Sequence, residues 1–177
     1  MPNNYVALLR GINVGKAKRV AMIDLRRIVE SLGYEDVKTL LNSGNVVFGG
    51  GARGDPAARI ERALLERSGV ASRVTVITAN ELARIISNNP LPHATQEPSR
   101  LLVAVLKDPA DAKLAAPLAG HDWAPEALAI AGRAIYLWCP RGVIDSKPVA
   151  AINRLLGDRV TVRNWATMTK LLALVGG

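Results

Sequence analysis

The order of apolar and amphipathic segments along the 177-residue chain constrains its fold more than any other feature. Short apolar runs alternate with segments whose apolar residues recur at helical spacing. The predicted strands are Tyr5–Leu9, Val37–Leu41, Val46–Phe48 and Arg73–Ile77, then Leu101–Leu106, Leu128–Ala131, Ile135–Cys139 and Val160–Val162. Helices are predicted over residues 22–32, 56–68, 78–86, 109–119, 149–156 and 164–175. The chain therefore reads β-α-β-β-α-β followed by a helix, twice.

This order is that of the split βαβ, or ferredoxin-like, arrangement. We predict an α+β fold of two ferredoxin-like βαββαβ halves, an internal duplication, each followed by an extra helix. The polar, proline-rich stretch 91–98 predicts a linker between a first half, 1–90, and a second half, 99–177. One continuous mixed sheet of eight strands is the alternative that the sequence leaves open.

Composition indicates a globular chain, with 49% hydrophobic and 21% charged residues. No apolar run approaches the ~20 residues that a membrane span needs, so we expect no membrane partner. Met1–Asn4 lacks the basic-then-apolar pattern of a signal peptide, and we expect a cytoplasmic protein. Cys139, His93 and His121 are too few and too scattered for a structural zinc site, so neither a metal nor a cofactor is predicted. His93 is expected in solvent, and Cys139 is expected to be an inert core thiol.

The formal net charge of +8 is unevenly distributed. Residues 10–19 hold Arg10, Lys16, Lys18 and Arg19 and no acid, and a second excess of cations lies in residues 141–177. Local excess of this kind favours an anionic partner without distinguishing nucleic acid from a small phosphate compound.

The first candidate site is the basic, glycine-containing loop 10–19 between the first strand and the first helix. The first two strands of a βαββαβ unit run in the same direction, which predicts that this loop lies beside the turn 42–45. Backbone N–H groups, the helix dipole and Lys16 would attract an anion there. The predicted ligand-binding residues of this edge are Arg10, Gly11, Asn13, Gly15, Lys16, Asn42, Ser43, Gly44 and Asn45. The plainer alternative, in which the glycines supply positive φ and the asparagines close turns, stays open.

The corresponding connection in the second half is only Lys107–Pro109, and the corresponding hairpin is only Gly132–Arg133. The long loop of the first half is therefore not required by the topology, which favours a role in binding.

A second candidate site lies where the last helix begins, at Arg163, Asn164 and Trp165. An arginine at a helix start favours an anion, and a neighbouring indole favours a base or sugar. In the alternative interpretation, Asn164 is only a helix cap and Trp165 is a core residue.

Few aromatic residues are available for stacking on nucleic-acid bases. Tyr136 and Trp138 lie two apart on one predicted strand, and Tyr5 and Phe48 are the counterparts in the first half. We expect these rings to pack inside the protein rather than to form an open RNA-binding face. No familiar catalytic motif is present, so no catalytic residue is predicted.

Three segments resemble the signature blocks of the bacterial family called domain of unknown function 1697. They are Ala7–Gly15 (ALLRGINVG), Leu41–Phe48 (LNSGNVVF) and Arg163–Leu172 (RNWATMTKLL). Asn89–Pro92 resembles a further Asn-Pro-Phe-Pro segment, with Leu91 in place of Phe. Asn42 and Ala21 stand where the family often has Gln and Pro. The resemblance implies two ferredoxin-like halves and no established activity, cofactor or catalytic residue.

Three functions follow as hypotheses. The first is binding of a phosphate-bearing ligand, either a nucleotide or a nucleic-acid backbone. The second is an enzyme acting on a small anionic metabolite, and the third is a self-associating protein whose motifs serve the fold and an interface.

Overall fold

A computed structural model describes residues 4–51 and 54–176 of the chain. The chain forms two compact units. The first comprises the residues up to Glu81 together with those from Leu171 onward, and the second comprises Leu82–Lys170. The domain boundaries predicted from the sequence stay a prediction. Met1–Asn3 belong to the segment from which a cytoplasmic location is predicted, and they lie outside the described residues.

The first unit contains one four-stranded sheet and the helices that connect its strands. Its elements are β1 (Tyr5–Leu9), α1 (Met22–Glu30), β2 (Glu35–Leu40), β3 (Asn45–Gly49), α2 (Pro56–Ser68) and β4 (Val74–Thr78), with α3 (Ala79–Ser87) beginning directly after β4. The strand order is β2-β3-β1-β4, and every neighbouring pair is antiparallel. Because β1 and β2 both pair antiparallel with β3, they run in the same direction.

The second unit repeats this topology. Its elements are β5 (Leu101–Leu106), α4 (Ala112–Ala115), β6 (Ala127–Ala131), β7 (Ala134–Trp138), α5 (Lys147–Leu156), β8 (Val160–Asn164) and α6 (Trp165–Gly176), which begins in this unit. The strand order β6-β7-β5-β8 is that of the first sheet. The predicted duplication of ferredoxin-like halves is confirmed, and the alternative of one eight-stranded sheet is wrong.

The helix predicted over residues 109–119 is shorter than expected. Two 3₁₀ segments, Pro109–Asp111 and Ala116–Gly120, flank the single α-helical turn of α4. Pro117 explains the break, because proline lacks an N–H and its ring clashes with the carbonyl one turn earlier.

Local capping chemistry sets the starts of several helices. The Asp55 carboxylate accepts hydrogen bonds from two backbone N–H groups at the start of α2. Thr78 and Glu81 form a capping box for α3, in which each side chain accepts from the other residue's N–H, at 3.1 and 2.8 Å.

The core of the first unit lies between the sheet and helices α1 and α2. Phe48 packs between Tyr5, whose ring is stacked on it, and Tyr34, whose ring is tilted, with ring centroids 5.5 and 4.5 Å away. Ile12 and Val20 join the same core, although they belong to the long connection between β1 and α1. The connection is therefore fixed to the core at two points, with residues 13–19 between them.

The core of the second unit is formed by alternate residues of its sheet and by α5. Leu102, Ala104 and Leu106 of β5 pack in this core with Ile152 and Leu156 of the helix. Cys139 is fully buried here, as predicted.

None of the helices within the described ranges combines the length and the apolar character that crossing a membrane requires.

Gly44 is the glycine whose replacement we expect to be most costly. Its φ is +88°, and an added Cβ would lie 2.7 Å from Cδ1 of Ile12 and 2.9 Å from Cβ of Leu9. We expect Gly44→Ala to lower the free energy of unfolding by about 3 kcal/mol, from backbone strain and overpacking together. The measurement is urea denaturation.

The matched control for this variant is Gly15→Ala. Gly15 also has positive φ, +66°, but no atom lies within 4 Å of an added Cβ. We expect this control to cost about 1 kcal/mol. Equal losses in the two variants would contradict the close packing at Gly44.

Candidate functional site

The long connection from β1 to α1 is an exposed loop with buried ends. Ile12 and Val20 are 1% and 5% exposed, whereas Gly15, Lys16, Ala17, Lys18 and Arg19 are all exposed. In the second unit only residues 107 and 108 separate β5 from the first 3₁₀ turn. The same topology is thus completed there without such a loop.

Two of the cations of this loop, Lys16 and Lys18, are exposed to solvent. Lys16 and Lys18 pair with no acidic group within the described ranges. Nη1 of Arg19 donates to the Asn13 carbonyl at 3.5 Å, a long contact. Arg10 is half-buried, and its backbone is fixed by bonds to the Arg73 carbonyl and from the Ser72 hydroxyl.

Backbone donors accompany these cations. The N–H groups of Val14, Gly15 and Lys16 make no hydrogen bond to any part of the chain that the structure describes. The loop leads into α1, whose N-cap, Ala21, has no capping side chain. The first turn of α1 holds Asp24, whose carboxylate offsets part of the positive charge of that helix end.

The other α-helices longer than one turn each have a capping side chain. The caps are Asp55 for α2, Thr78 for α3, Ser146 for α5 and Asn164 for α6. Within the described residues, α1 is thus the exception.

Unfavourable backbone conformations are concentrated in this loop and in the turn that follows β2. Asn13, Lys18 and Leu41 have φ values of 55°, 52° and 59°, and the fourth described non-glycine residue with positive φ is Asp36. Left-handed residues other than glycine cost free energy and are enriched at functional sites.

The turn between β2 and β3 lies directly against the loop, as the topology predicts. Nδ2 of Asn13 donates to the Asn42 carbonyl at 2.8 Å, and the Leu9 N–H donates to the Gly44 carbonyl at 2.9 Å. The expected adjacency of loop and turn is confirmed.

Asn45 shapes this turn from inside. Its side chain is fully buried, and Nδ2 donates to the Leu40 carbonyl at 2.7 Å and to the Ser43 hydroxyl at 3.0 Å. Both amide hydrogens of Asn45 are therefore used within the chain. The predicted contacts of Asn42, Ser43, Gly44 and Asn45 with a ligand stay a prediction.

The second predicted region, at the start of α6, presents a different environment. Arg163 is 9% exposed, Nη1 donates to the Val162 carbonyl at 3.0 Å, and burial lowers the pKa of the guanidinium to about 10. Oδ1 of Asn164 accepts from the Thr167 N–H at 2.8 Å, which makes Asn164 the helix cap. Trp165 is half-buried. The ligand contacts predicted for these residues stay a prediction.

The start of α5 is already occupied by a carboxylate of the chain itself. Glu126 accepts from the Ser146 hydroxyl through Oε2 and from the Lys147 N–H through Oε1, the latter at 3.2 Å. Sequence reasoning missed Glu126, because it lies 20 residues before Ser146 and no motif links the two positions.

The aromatic side chains are unavailable as an open stacking face. Tyr136 and Phe48 are fully buried, and the Tyr136 hydroxyl donates to the Ile85 carbonyl at 2.6 Å. Trp138 stacks on His93 with ring centroids 4.5 Å apart. The internal packing predicted for these rings is confirmed.

The expectation that His93 lies in solvent is wrong. The imidazole is half-buried against Trp138, and its Nδ1 is inaccessible and without a hydrogen-bond partner among the described residues. The Trp138 indole accounts for the difference, because its apolar face covers one side of the imidazole.

Two comparisons with known proteins give matches. Residues 2–136 match the family described as "Protein of unknown function (DUF1697)". The matched stretch contains the loop and the turn and ends before residue 163. The conserved bacterial protein SP0830 from Streptococcus pneumoniae has a similar structure, with a TM-score of 0.79 at 19% sequence identity over 99% of both chains. At this identity the likeness shows the fold alone. No curated protein matches the chain.

Tyr136 should make stability depend on pH in the alkaline range. Burial raises its pKa to about 12, whereas an unfolded tyrosine ionises near pH ~10. Between these values the unfolded chain loses a proton that the folded chain keeps, so the free energy of unfolding falls as pH rises. Urea denaturation between about pH 9 and 11.5 measures this slope.

We expect Tyr136→Phe to flatten that slope, whereas Tyr5→Phe, at a half-buried tyrosine, should retain the Tyr136 contribution. Below about pH 10, Tyr136→Phe should cost about 1 kcal/mol, because the bond to the Ile85 carbonyl is lost. An identical slope in the wild-type and Tyr136→Phe chains would contradict this account.

Proposed function

The chain belongs to the DUF1697 family, whose members are described as proteins of unknown function, and we propose that it binds a phosphate-bearing partner through the loop 14–19. The partner that the geometry supports best is the sugar–phosphate backbone of a nucleic acid. A cytoplasmic location, which the sequence predicts, would be compatible with this partner.

One observation carries the proposal. Lys16 and Lys18 are exposed and without an acidic partner in the described chain, beside unbonded N–H groups and ahead of an uncapped helix. Cations, free backbone donors and a helix N-terminus together form the chemistry that binds phosphate. At the starts of α5 and α6, which also lie near cations, backbone N–H groups already donate to Glu126 and Asn164 of the chain itself.

Exposure favours a polymer over a nucleotide. A small ligand usually has about 70–90% of its surface buried in a concave site. Residues 14–19 are exposed throughout, which fits contact with an extended polyanion that stays largely in solvent. The overall charge of +8 supports the same choice, because long-range attraction increases with the charge of the partner.

The mode of recognition follows from the buried aromatic rings. Tyr136 and Phe48 are fully buried and offer no stacking platform. Lysine contacts with phosphate contain no direct information on sequence. We therefore expect binding that depends little on base sequence and strongly on salt.

The test is a fluorescence-anisotropy titration of a mixed-sequence DNA duplex of about 20 base pairs, at about 50 to 200 mM salt. We expect Lys16→Gln/Lys18→Gln to weaken binding about tenfold at low salt. Removal of two phosphate contacts should reduce the slope of log K against log salt by about 1.8.

The control is Lys113→Gln/Arg154→Gln, which removes the same charge from exposed positions elsewhere. This control should retain most of the affinity and the slope. No binding by the wild-type chain, or equal losses in the two double variants, would contradict the proposal. Tighter binding of a mononucleotide than of the duplex would instead favour a small-ligand site.

A further inference from the structure

Asn13 connects the cationic loop to three backbone groups at once. Its Oδ1 accepts from the Val20 N–H at 2.8 Å, and its Nδ2 donates to the Val20 carbonyl at 2.8 Å and to the Asn42 carbonyl at 2.8 Å. One amide thus uses its acceptor and both of its hydrogens, and it joins the two ends of the loop to the neighbouring turn.

The backbone of Asn13 strengthens the same closure. Its N–H donates to the Lys18 carbonyl at 2.9 Å, and its φ of 55° is one that asparagine tolerates better than most residues. Lys16 and Lys18 lie within the segment that these bonds close, whereas the loop ends at Ile12 and Val20 are fixed in the core.

From this geometry we propose that Asn13 is the positioning residue of the binding loop: its amide holds Lys16 and Lys18 at a fixed spacing before a partner arrives. The proposal rests on the proposed function, because it assigns the closed loop as the form that binds. Asn13 itself has no free amide hydrogen for the partner, so it acts through the loop.

The strained residue Lys18 supports this role. A left-handed lysine persists only where its surroundings hold it there. The bond from the Asn13 N–H to the Lys18 carbonyl, with the two bonds to Val20, supplies that restraint. Without the amide, the segment gains conformational freedom that binding must remove again.

The closing experiment compares Asn13→Gly with Asn42→Ala. Glycine adopts the positive φ without strain and lacks the amide, so a loss in this variant cannot come from backbone strain. Asn42 takes part in the closure through its main-chain carbonyl, so Asn42→Ala leaves that bond in place. Both variants retain every charge of the loop.

For Asn13→Gly we expect duplex affinity to fall about tenfold, with the salt dependence of log K unchanged. Trypsin should also cleave after Lys16 and Lys18 about tenfold faster than in the wild-type chain, because the open segment fits a protease. Asn42→Ala should match the wild-type chain in cleavage by trypsin, because its main-chain carbonyl still accepts from Asn13. An unchanged slope distinguishes loss of loop order from the loss of charge in the lysine variants.

Affinity and cleavage equal to wild type in Asn13→Gly would overturn the proposal. If the wild-type chain binds no duplex, the proposed function and the binding role of Asn13 are both refuted. Faster cleavage of Asn13→Gly by trypsin would then still support the control of loop order by Asn13. If Asn13→Gly fails to fold, amide hydrogen exchange of the wild-type chain decides: the Val20 N–H should be protected, and exchange at the rate of an open loop would overturn the proposal.

Discussion

The parallel course of β1 and β2 is the constraint on which the candidate site depends. Both strands pair antiparallel with β3, so the C-terminal ends of β1 and β2 lie at the same end of the first sheet. The loop that leaves β1 and the turn that leaves β2 must therefore meet. Gly44 permits close contact there, because the absence of a side chain leaves room for Ile12 and Leu9.

The two halves show what this topology requires and what the first half adds. In the second unit, residues 132–133 complete the β6–β7 hairpin, and the first connection is equally brief. The positive end of α5 interacts with Glu126, and that of α6 is capped by Asn164. In the first unit the corresponding connection is long, basic and exposed, and α1 has no side-chain cap. Among the described α-helices longer than one turn, α1 alone begins without a side-chain cap, and Asp24 lies in its first turn.

The sequence was sufficient to predict the strand order, most helix bounds and the meeting of loop and turn, because these follow from local periodicity and topology. Capping at Asp55, Thr78 and Asn164 was equally predictable, because each cap lies within three residues of the N–H it accepts from. The bonds of Asn13 to Asn42 and of Ser146 to Glu126 were not predictable, because each joins residues distant in sequence without a motif. The same limitation explains the error at His93, whose packing depends on Trp138.

The broken helix around Pro117 shows a different limitation. The apolar pattern of residues 109–119 suits a helix, but proline in its interior removes a hydrogen bond and adds a steric clash. The segment forms 3₁₀ turns on either side of a single α-helical turn. The position of Pro117 therefore predicts the break, whereas the apolar pattern alone does not.

We propose that a phosphate-bearing partner contacts the loop 14–19, at the end of the first sheet where β1 and β2 finish. The most direct measurement is an NMR titration of the ¹⁵N-labelled chain with a short DNA duplex, recorded at low salt. We expect the largest amide shifts at Gly15, Lys16 and Lys18, with smaller ones at Ser43 and Gly44. Largest shifts at Lys147 or Trp165, with the loop unchanged, would contradict it.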